Sequence, residues 1–352
     1  MNIVKRMEHF NVPGVSVTYF TSGQISWNKH FGTLEAGTDK IVNENSIFHA
    51  CSMSKMVTAL CVLKLVQDEV LDLYKDVNDY LTSWKVPNNK FTSDKKVTLA
   101  NLLAHQAGFY DCESSFSPYK ERDAIPQTID ILKGKSRYHS EAVEAKYVPE
   151  TDCEYSDAGY CIVSLVLEDV LGETIGEIAK RMVFKPLGLE RTFFWEIGKD
   201  LDDGISMPDC AVGHNNKGKI VDEIRASYPN IEGASLWTTP NELACIVINI
   251  INAYHGIGST LLNQEMARLM LSPYGCTSDV GLGVFLGKDE DEKPYFISQG
   301  WGVGMQCKLR AYHENQKGVV VMTNSEPGVE QDKALVGEII NDVCKAGTLP
   351  MK

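Results

Sequence analysis

The sequence predicts an α+β fold in which one antiparallel sheet is built from both ends of the chain, flanked by helices, with a mostly helical stretch inserted between its halves. Three observations predict it. Val15–Phe20 and Ile25–Phe31 are rich in β-branched and aromatic residues and are separated only by Thr21-Ser-Gly-Gln, the pattern of a β-hairpin. Strand character returns late, at Gly281–Phe285, Tyr295–Trp301, Met305–Tyr312 and Gly318–Thr323. Between them, Leu71 to about Trp195 reads as helix and loop. The division that follows is a discontinuous sheet subdomain, 1–70 with 200–352, and a helical subdomain, 71–199.

Taken in order, a short helix at Val4–Phe10 ends at the turn Val12-Pro13-Gly14, ahead of the hairpin. A loop through Asn43-Glu-Asn-Ser leads to the stretch Phe48 to Val70, where Ser52 to Lys55 opens an apolar run that reads as a buried helix stopping near Asp68-Glu69. Val97–Leu103 is helical with Thr98 as its N-cap, and it breaks at His105-Gln-Ala-Gly108. Residues 111–146 are polar and poorly periodic, which predicts a mobile rim. Tyr155-Ser-Asp-Ala-Gly-Tyr opens a helix at Cys161–Val170, closed by Leu171-Gly172. Ile175–Val183 is a further helix, ended by Pro186-Leu-Gly188. A loop-rich stretch over 200–235 precedes helices at Asn241–Ala253 and, after the late strands, Asp332–Val343.

Composition narrows the function classes. The chain is 43% hydrophobic and 23% charged, ordinary for a globular protein. A net charge of −13 argues against nucleic acid or an anionic membrane as partner, since both need basic patches. No window has the length of a spanning helix. The N-terminus carries charges where a signal peptide has its apolar core, so the chain as given is expected to be cytoplasmic. Its ten cysteines show no Cys-x-x-Cys pair and no Cys/His ligand spacing, so no metal is expected and a reducing compartment fits best.

The chemistry-bearing stretch is Phe48-His-Ala-Cys-Ser-Met-Ser-Lys55. Residues three apart share a helix face, so the Lys55 amine can lie over the Ser52 hydroxyl. A helix N-terminus adds unpaired N–H groups for an oxyanion. Taken alone, Ser-x-x-Lys is a common accident, and an N-cap serine with a solvated lysine describes it as well. Cys51 lacks a lysine three residues on and is read as packing.

What lies behind this pair, in order, changes its weight. The chain resembles the serine β-lactamase and penicillin-binding superfamily, in its class C β-lactamase-like branch with esterases and D-amino-acid-peptide hydrolases. Phe48 to Lys55 looks like that branch's nucleophile motif, with Val70-Leu-Asp-Leu73 as its continuation. Leu102-Leu-Ala-His-Gln-Ala-Gly108 is similar to the Leu-Leu-x-His-Thr-Ser-Gly segment. Tyr155-Ser-Asp-Ala-Gly-Tyr160 matches Tyr-Ser-Asn-x-Gly-Tyr, and Lys185-Pro-Leu-Gly-Leu-Glu-Arg-Thr192 matches Pro-Leu-Gly-Met-x-x-Thr. The Lys/His-x-Gly motif falls at Ser298-Gln299-Gly300, followed by Trp301-Gly-Val-Gly304.

The resemblance implies a cofactor-free serine hydrolase of the β-lactamase/transpeptidase-like fold. Ser52 would be the acylated nucleophile, with Lys55 and Tyr155 as the paired candidates for its base, since a serine hydroxyl is inert near neutrality. The backbone amides of Ser52 and Trp301 would form the oxyanion hole, the Trp301 side chain being a core aromatic or a pocket wall. Asp157, Ser298, Gln299 and Gly300 would meet the substrate, a small ester, amide or D-amino-acid peptide. His105 is read as a structural residue fixing its loop.

Two departures bear on specificity. Asp157 stands where the family has asparagine; its charge would hold Lys55 protonated and leave Tyr155 the better base. Ser298 stands where the family has lysine or histidine, which removes a cation for a substrate carboxylate. A catalytically weak or inactive binding protein on the same fold is the alternative that these two residues favour.

Overall fold

The structure, a computed structural model, describes residues 1–120, 123–198, 201, 205–222 and 224–349. Helix α1 (Ile3–Phe10) is capped by the Asn2 side chain, which accepts from the Lys5 amide. Strands β1 (Gly14–Thr21) and β2 (Gln24–Gly32) follow as the expected hairpin. Their two-residue loop, Ser22-Gly23, has positive φ at both positions, which matches the strands' right-handed twist. Next come β3 (Phe48–Cys51) and α2 (Ser54–Gln67). Most of α2 is buried on every side, as an all-round apolar helix must be.

The middle of the chain holds α3 (Leu99–Leu103), α4 (Thr128–Leu132), α5 (Asp157–Leu171), α6 (Ile175–Ala179) and the two-residue strand β4 (Phe193–Phe194). Thr98 caps α3 in a full capping box with Asn101. The helix predicted over Ile175–Val183 keeps α-helical winding only to Ala179 and then widens into a π turn, Lys180–Phe184. Beyond it lie α7 (Ile231–Ala234), β5 (Leu236–Thr238), α8 (Pro240–Tyr254) and α9 (Gln264–Met270). The chain closes with β6 (Phe285–Lys288), β7 (Pro294–Gly302), β8 (Met305–Tyr312), β9 (Lys317–Thr323) and α10 (Leu335–Ala346).

Six strands form one antiparallel sheet in the order β2-β1-β9-β8-β7-β6. The β1–β9 pair joins the two ends of the chain, with Val17 opposite Val321. Alternate residues serve two apolar layers, as strand periodicity requires. Val15, Val17, Val319 and Val321 pack with Ile339 and Ile340 of α10, while Phe20, Val320 and Met322 face the larger core that contains α2, α5 and α8. This is the antiparallel α+β architecture that the sequence predicts.

A second sheet of three short strands, β3-β5-β4, was not legible beforehand. The predicted strand at Gly281–Phe285 begins only at its last residue. Gly283 instead donates its amide to the Leu103 carbonyl, and a Cβ there would lie 2.3 Å from Ala59 Cβ. That segment is pressed inward against α2, leaving only β6 to pair. The predicted rim, 111–146, has buried anchors in Phe116, Tyr119, Ile131, Leu132 and Tyr138, so it is packed onto the body at several points. Among the described residues no helix is long and apolar enough to cross a membrane, all ten cysteines are free, and no cluster of metal-ligating side chains occurs.

Candidate active site

The site begins where β3 turns into α2. Ser52 lies in that turn, two residues before the helix, which starts at Ser54. The turn is tight: Cys51 adopts φ 48°, a left-handed conformation rarely accepted by a residue with a Cβ. Ser54, not Ser52, ties it down, donating to the Cys51 carbonyl at 2.5 Å and accepting from the Leu236 amide at 2.9 Å. Ser52 is thereby released from a structural duty, and it lines the same narrow cavity as Tyr155.

Tyr155 arrives on the segment leading into α5 and is 42% exposed, which removes the reading of a buried core aromatic. The Lys55 amine lies 4.8 Å from the centre of the Tyr155 ring, and Ser52, Lys55 and Tyr155 line one narrow cavity. Lys55 is 4% exposed. Its Nζ donates to Asp157 Oδ1 at 2.5 Å and to the Gly233 carbonyl at 3.0 Å.

Burial works against the Lys55 charge, but the Asp157 carboxylate and then Tyr155 outweigh it and raise its pKa well above the ordinary lysine value. Loss of water around its hydroxyl raises the Tyr155 phenol; the Lys55 ammonium pulls it down, Asp157 pushes it up, and the net direction is upward. At rest the pair is an ammonium beside a neutral phenol. The expectation that Asp157 keeps Lys55 protonated agrees with this geometry.

Replacing Asp157 by asparagine removes a charge that raises both groups. Acylation by Asp157→Asn is therefore expected to reach its alkaline plateau at a lower pH, read as Ser52 labelling rate against pH. An unchanged profile would contradict the coupling.

Three supporting groups escaped the sequence reading. Asp111, placed in the predicted mobile rim, caps α5: its carboxylate accepts from the Ser156 hydroxyl at 2.9 Å and from the amides of Asp157 and Ala158 at 2.6 and 3.1 Å. Burial and the nearby Asp157 charge raise its pKa despite those donors. Asn230 donates to Asp157 Oδ1 at 2.7 Å, and Gly233 supplies the carbonyl on Lys55. None stands in a periodic pattern, and Asn230 and Gly233 fall in a stretch read only as loop-rich.

His105 behaves as expected for a structural residue. It is buried at φ 56°, accepts the Ser156 amide through Nδ1 at 3.2 Å, and packs its ring 4.4 Å from Tyr155. Burial, with Lys55 adding to it, lowers its pKa to about 3, so it stays neutral. Cys51 is buried with its thiol toward Cys307 and the His49 ring.

The opposite wall is β7. Gly300 has no room for a side chain: a Cβ would lie 2.3 Å from the Ala50 carbonyl oxygen and 2.8 Å from Cys51 Cβ. Glycine thus lets β7 press against β3 directly beside the Ser52 turn. Ser298, 5% exposed, and Gln299 line a narrow cavity of about 20 Å³ together with Ser52, Lys55, His105 and Tyr155. Trp301 follows Gly300 on β7 and is 43% exposed, so its side chain is not a core aromatic. No cation stands at the Ser298 position.

A serine and a lysine at one helix entrance thus stand beside a tyrosine on a second helix's approach, in an antiparallel α+β fold. The chain belongs to the β-lactamase family, whose model matches residues 2–340. Penicillin-binding protein 4* of Bacillus subtilis is 22% identical over 324 residues, covering 89% of this chain and 68% of that protein. Unguisins hydrolase ungD' of Aspergillus campestris is 23% identical over 258 residues, 67% of this chain and 45% of that one. Among solved structures, the D-amino acid amidase from Ochrobactrum anthropi SV3 superposes with a TM-score of 0.77 at 17% identity, covering 98% of this chain and 96% of the amidase. The chain spans less than half the length of the first curated relatives it matches.

Proposed function

We propose that the protein is a serine hydrolase that works through an acyl-enzyme on Ser52. What supports this most is the meeting of Ser52, Lys55 and Tyr155 in one narrow cavity, with the Lys55 amine 4.8 Å from the centre of the Tyr155 ring. In this reading the Tyr155 phenol first gives its proton to solvent, leaving an ionised form that the Lys55 ammonium stabilises. The phenolate then takes the Ser52 proton as the serine oxygen attacks a substrate carbonyl. The resulting oxyanion is received by the backbone amides of Ser52 and Trp301. Collapse expels the leaving alcohol or amine, protonated from Tyr155, and water then releases the acid by the reverse proton path.

The substrate class follows from charge. A protein of net charge −13 with a serine at 298 offers a carboxylate no partner cation on β7. Neutral esters, amides or uncharged D-amino-acid derivatives are the favoured substrates, and Asp157 weakens binding of an acylamino group because an ionised aspartate only accepts hydrogen bonds. Under matched conditions, p-nitrophenyl butyrate is expected to turn over faster than nitrocefin. Faster nitrocefin turnover would reverse this preference.

A second reading has its own observation. With Lys55 locked to Asp157 at 2.5 Å and Tyr155 raised, the resting site carries no ready base, as suits a binding protein on this fold. Intact mass after fluorophosphonate treatment separates the two: a stable adduct on Ser52 marks the enzyme, and none at high reagent concentration marks the binder.

A further inference from the structure

A second cavity, of about 710 Å³, lies behind the candidate site, between α5, α6, α7 and β4. Its size suits a small molecule. Leu165, Phe194 and Ile231 give it apolar walls, and Glu232 and Trp195 also line it. Glu232 is 3% exposed. One of its carboxylate oxygens has no hydrogen-bond partner, while the side chain takes the Cys161 thiol. The Trp195 indole nitrogen is likewise buried without a partner.

A buried carboxylate with an unmet oxygen is costly in a folded protein, and an aromatic N–H left unpaired beside the same cavity repeats the pattern. Both are relieved by a ligand that brings a donor to the acid and an acceptor or a π face to the indole.

We propose that this cavity binds a small organic cation, an ammonium on an aromatic or branched aliphatic body, with the ammonium on Glu232 and the body against Leu165, Phe194 and Ile231. Charge around the site agrees in sign: Glu168, Asp169 and Glu177 line the cavity against one cation, Lys180. Burial holds Glu232 at about 7, the direction of an acid lacking a counter-ion.

The site is joined to the Ser52 cleft by α7 and its cap. Asn230 holds Asp157, the Gly233 carbonyl holds Lys55, and Glu232 stands between them on the cavity side, with its own carbonyl accepting from Thr58 of α2 at 2.7 Å. A ligand that repositions Glu232 therefore acts on both partners of Lys55.

Calorimetric titration with phenethylamine, against the neutral isostere 2-phenylethanol, tests the proposal without any reliance on hydrolysis. Saturable phenethylamine binding is expected, weakened about tenfold or more in Glu232→Gln, with 2-phenylethanol weak and indifferent to the substitution. Leu165→Trp, which fills the cavity and leaves Glu232 in place, is expected to abolish phenethylamine binding and covers the case in which Glu232→Gln fails to fold. Absence of saturable binding, or binding that either variant leaves unchanged, would overturn the site.

Discussion

Ser52→Ala is expected to eliminate the fluorophosphonate adduct and to lower kcat/KM on a neutral ester by on the order of 10³-fold or more, the scale on which hydrolases lose activity with their nucleophile. The loss should be clean because the fold does not lean on this hydroxyl. Ser54 makes the turn's hydrogen bonds, to the Cys51 carbonyl and from Leu236, and α2 is held by burial along its length. Neighbouring nucleophiles cannot take over. The Ser54 hydroxyl is buried and fully engaged, and the Cys51 thiol is turned into the protein toward Cys307. Thermal melting of the variant should match that of the parent. Persistent labelling of Ser52→Ala, mapped by peptide mass, would move the nucleophile elsewhere and defeat the acyl-enzyme reading.

Tyr155→Phe carries the second large expectation, a loss of about 10² to 10⁴ in acylation rate, the usual worth of a positioned proton acceptor. Two bases compete for this role, and the geometry favours the phenol. Lys55 is engaged by Asp157 and the Gly233 carbonyl, so its amine has little reason to release a proton, while Tyr155 shares the narrow cavity with Ser52. Phenylalanine keeps the ring on His105 and removes only the hydroxyl, which separates chemistry from packing. A loss below about tenfold, with the pH profile retained, would pass the base role to Lys55. The part of the Asp157→Asn shift carried by the phenol should vanish in the Tyr155→Phe background, leaving only what Lys55 carries.

How much of this was visible in the sequence depended on whether the signal was periodic. The hairpin and the strands of β7 to β9 announced themselves through alternation and β-branched content, and their observed limits fall within about a residue or two of expectation. α5 was framed by Tyr155-Ser at one end and Gly172 at the other. The small sheet was hidden because β4 and β5 are two and three residues long, too short for any pattern. At the site, motif order located Ser52, Lys55 and Tyr155, but not the groups that set their charges. Asp111 reaches α5 from a polar loop, and Gly233 contributes a backbone carbonyl, which no side-chain pattern encodes. Gly281–Phe285 misled because its apolar content served burial against α2 rather than strand pairing.

The pairing of β1 with β9 has a consequence for biosynthesis. A ribosome delivers the first strand some three hundred residues before its neighbour, so the nascent hairpin must wait with one edge unsatisfied, exposed to intermolecular association. The wall carrying Gly300 and Trp301 emerges in that same late portion. Closure of the cleft therefore waits on these late strands, and a chain halted before Lys317 lacks the strand that joins β1 to β8.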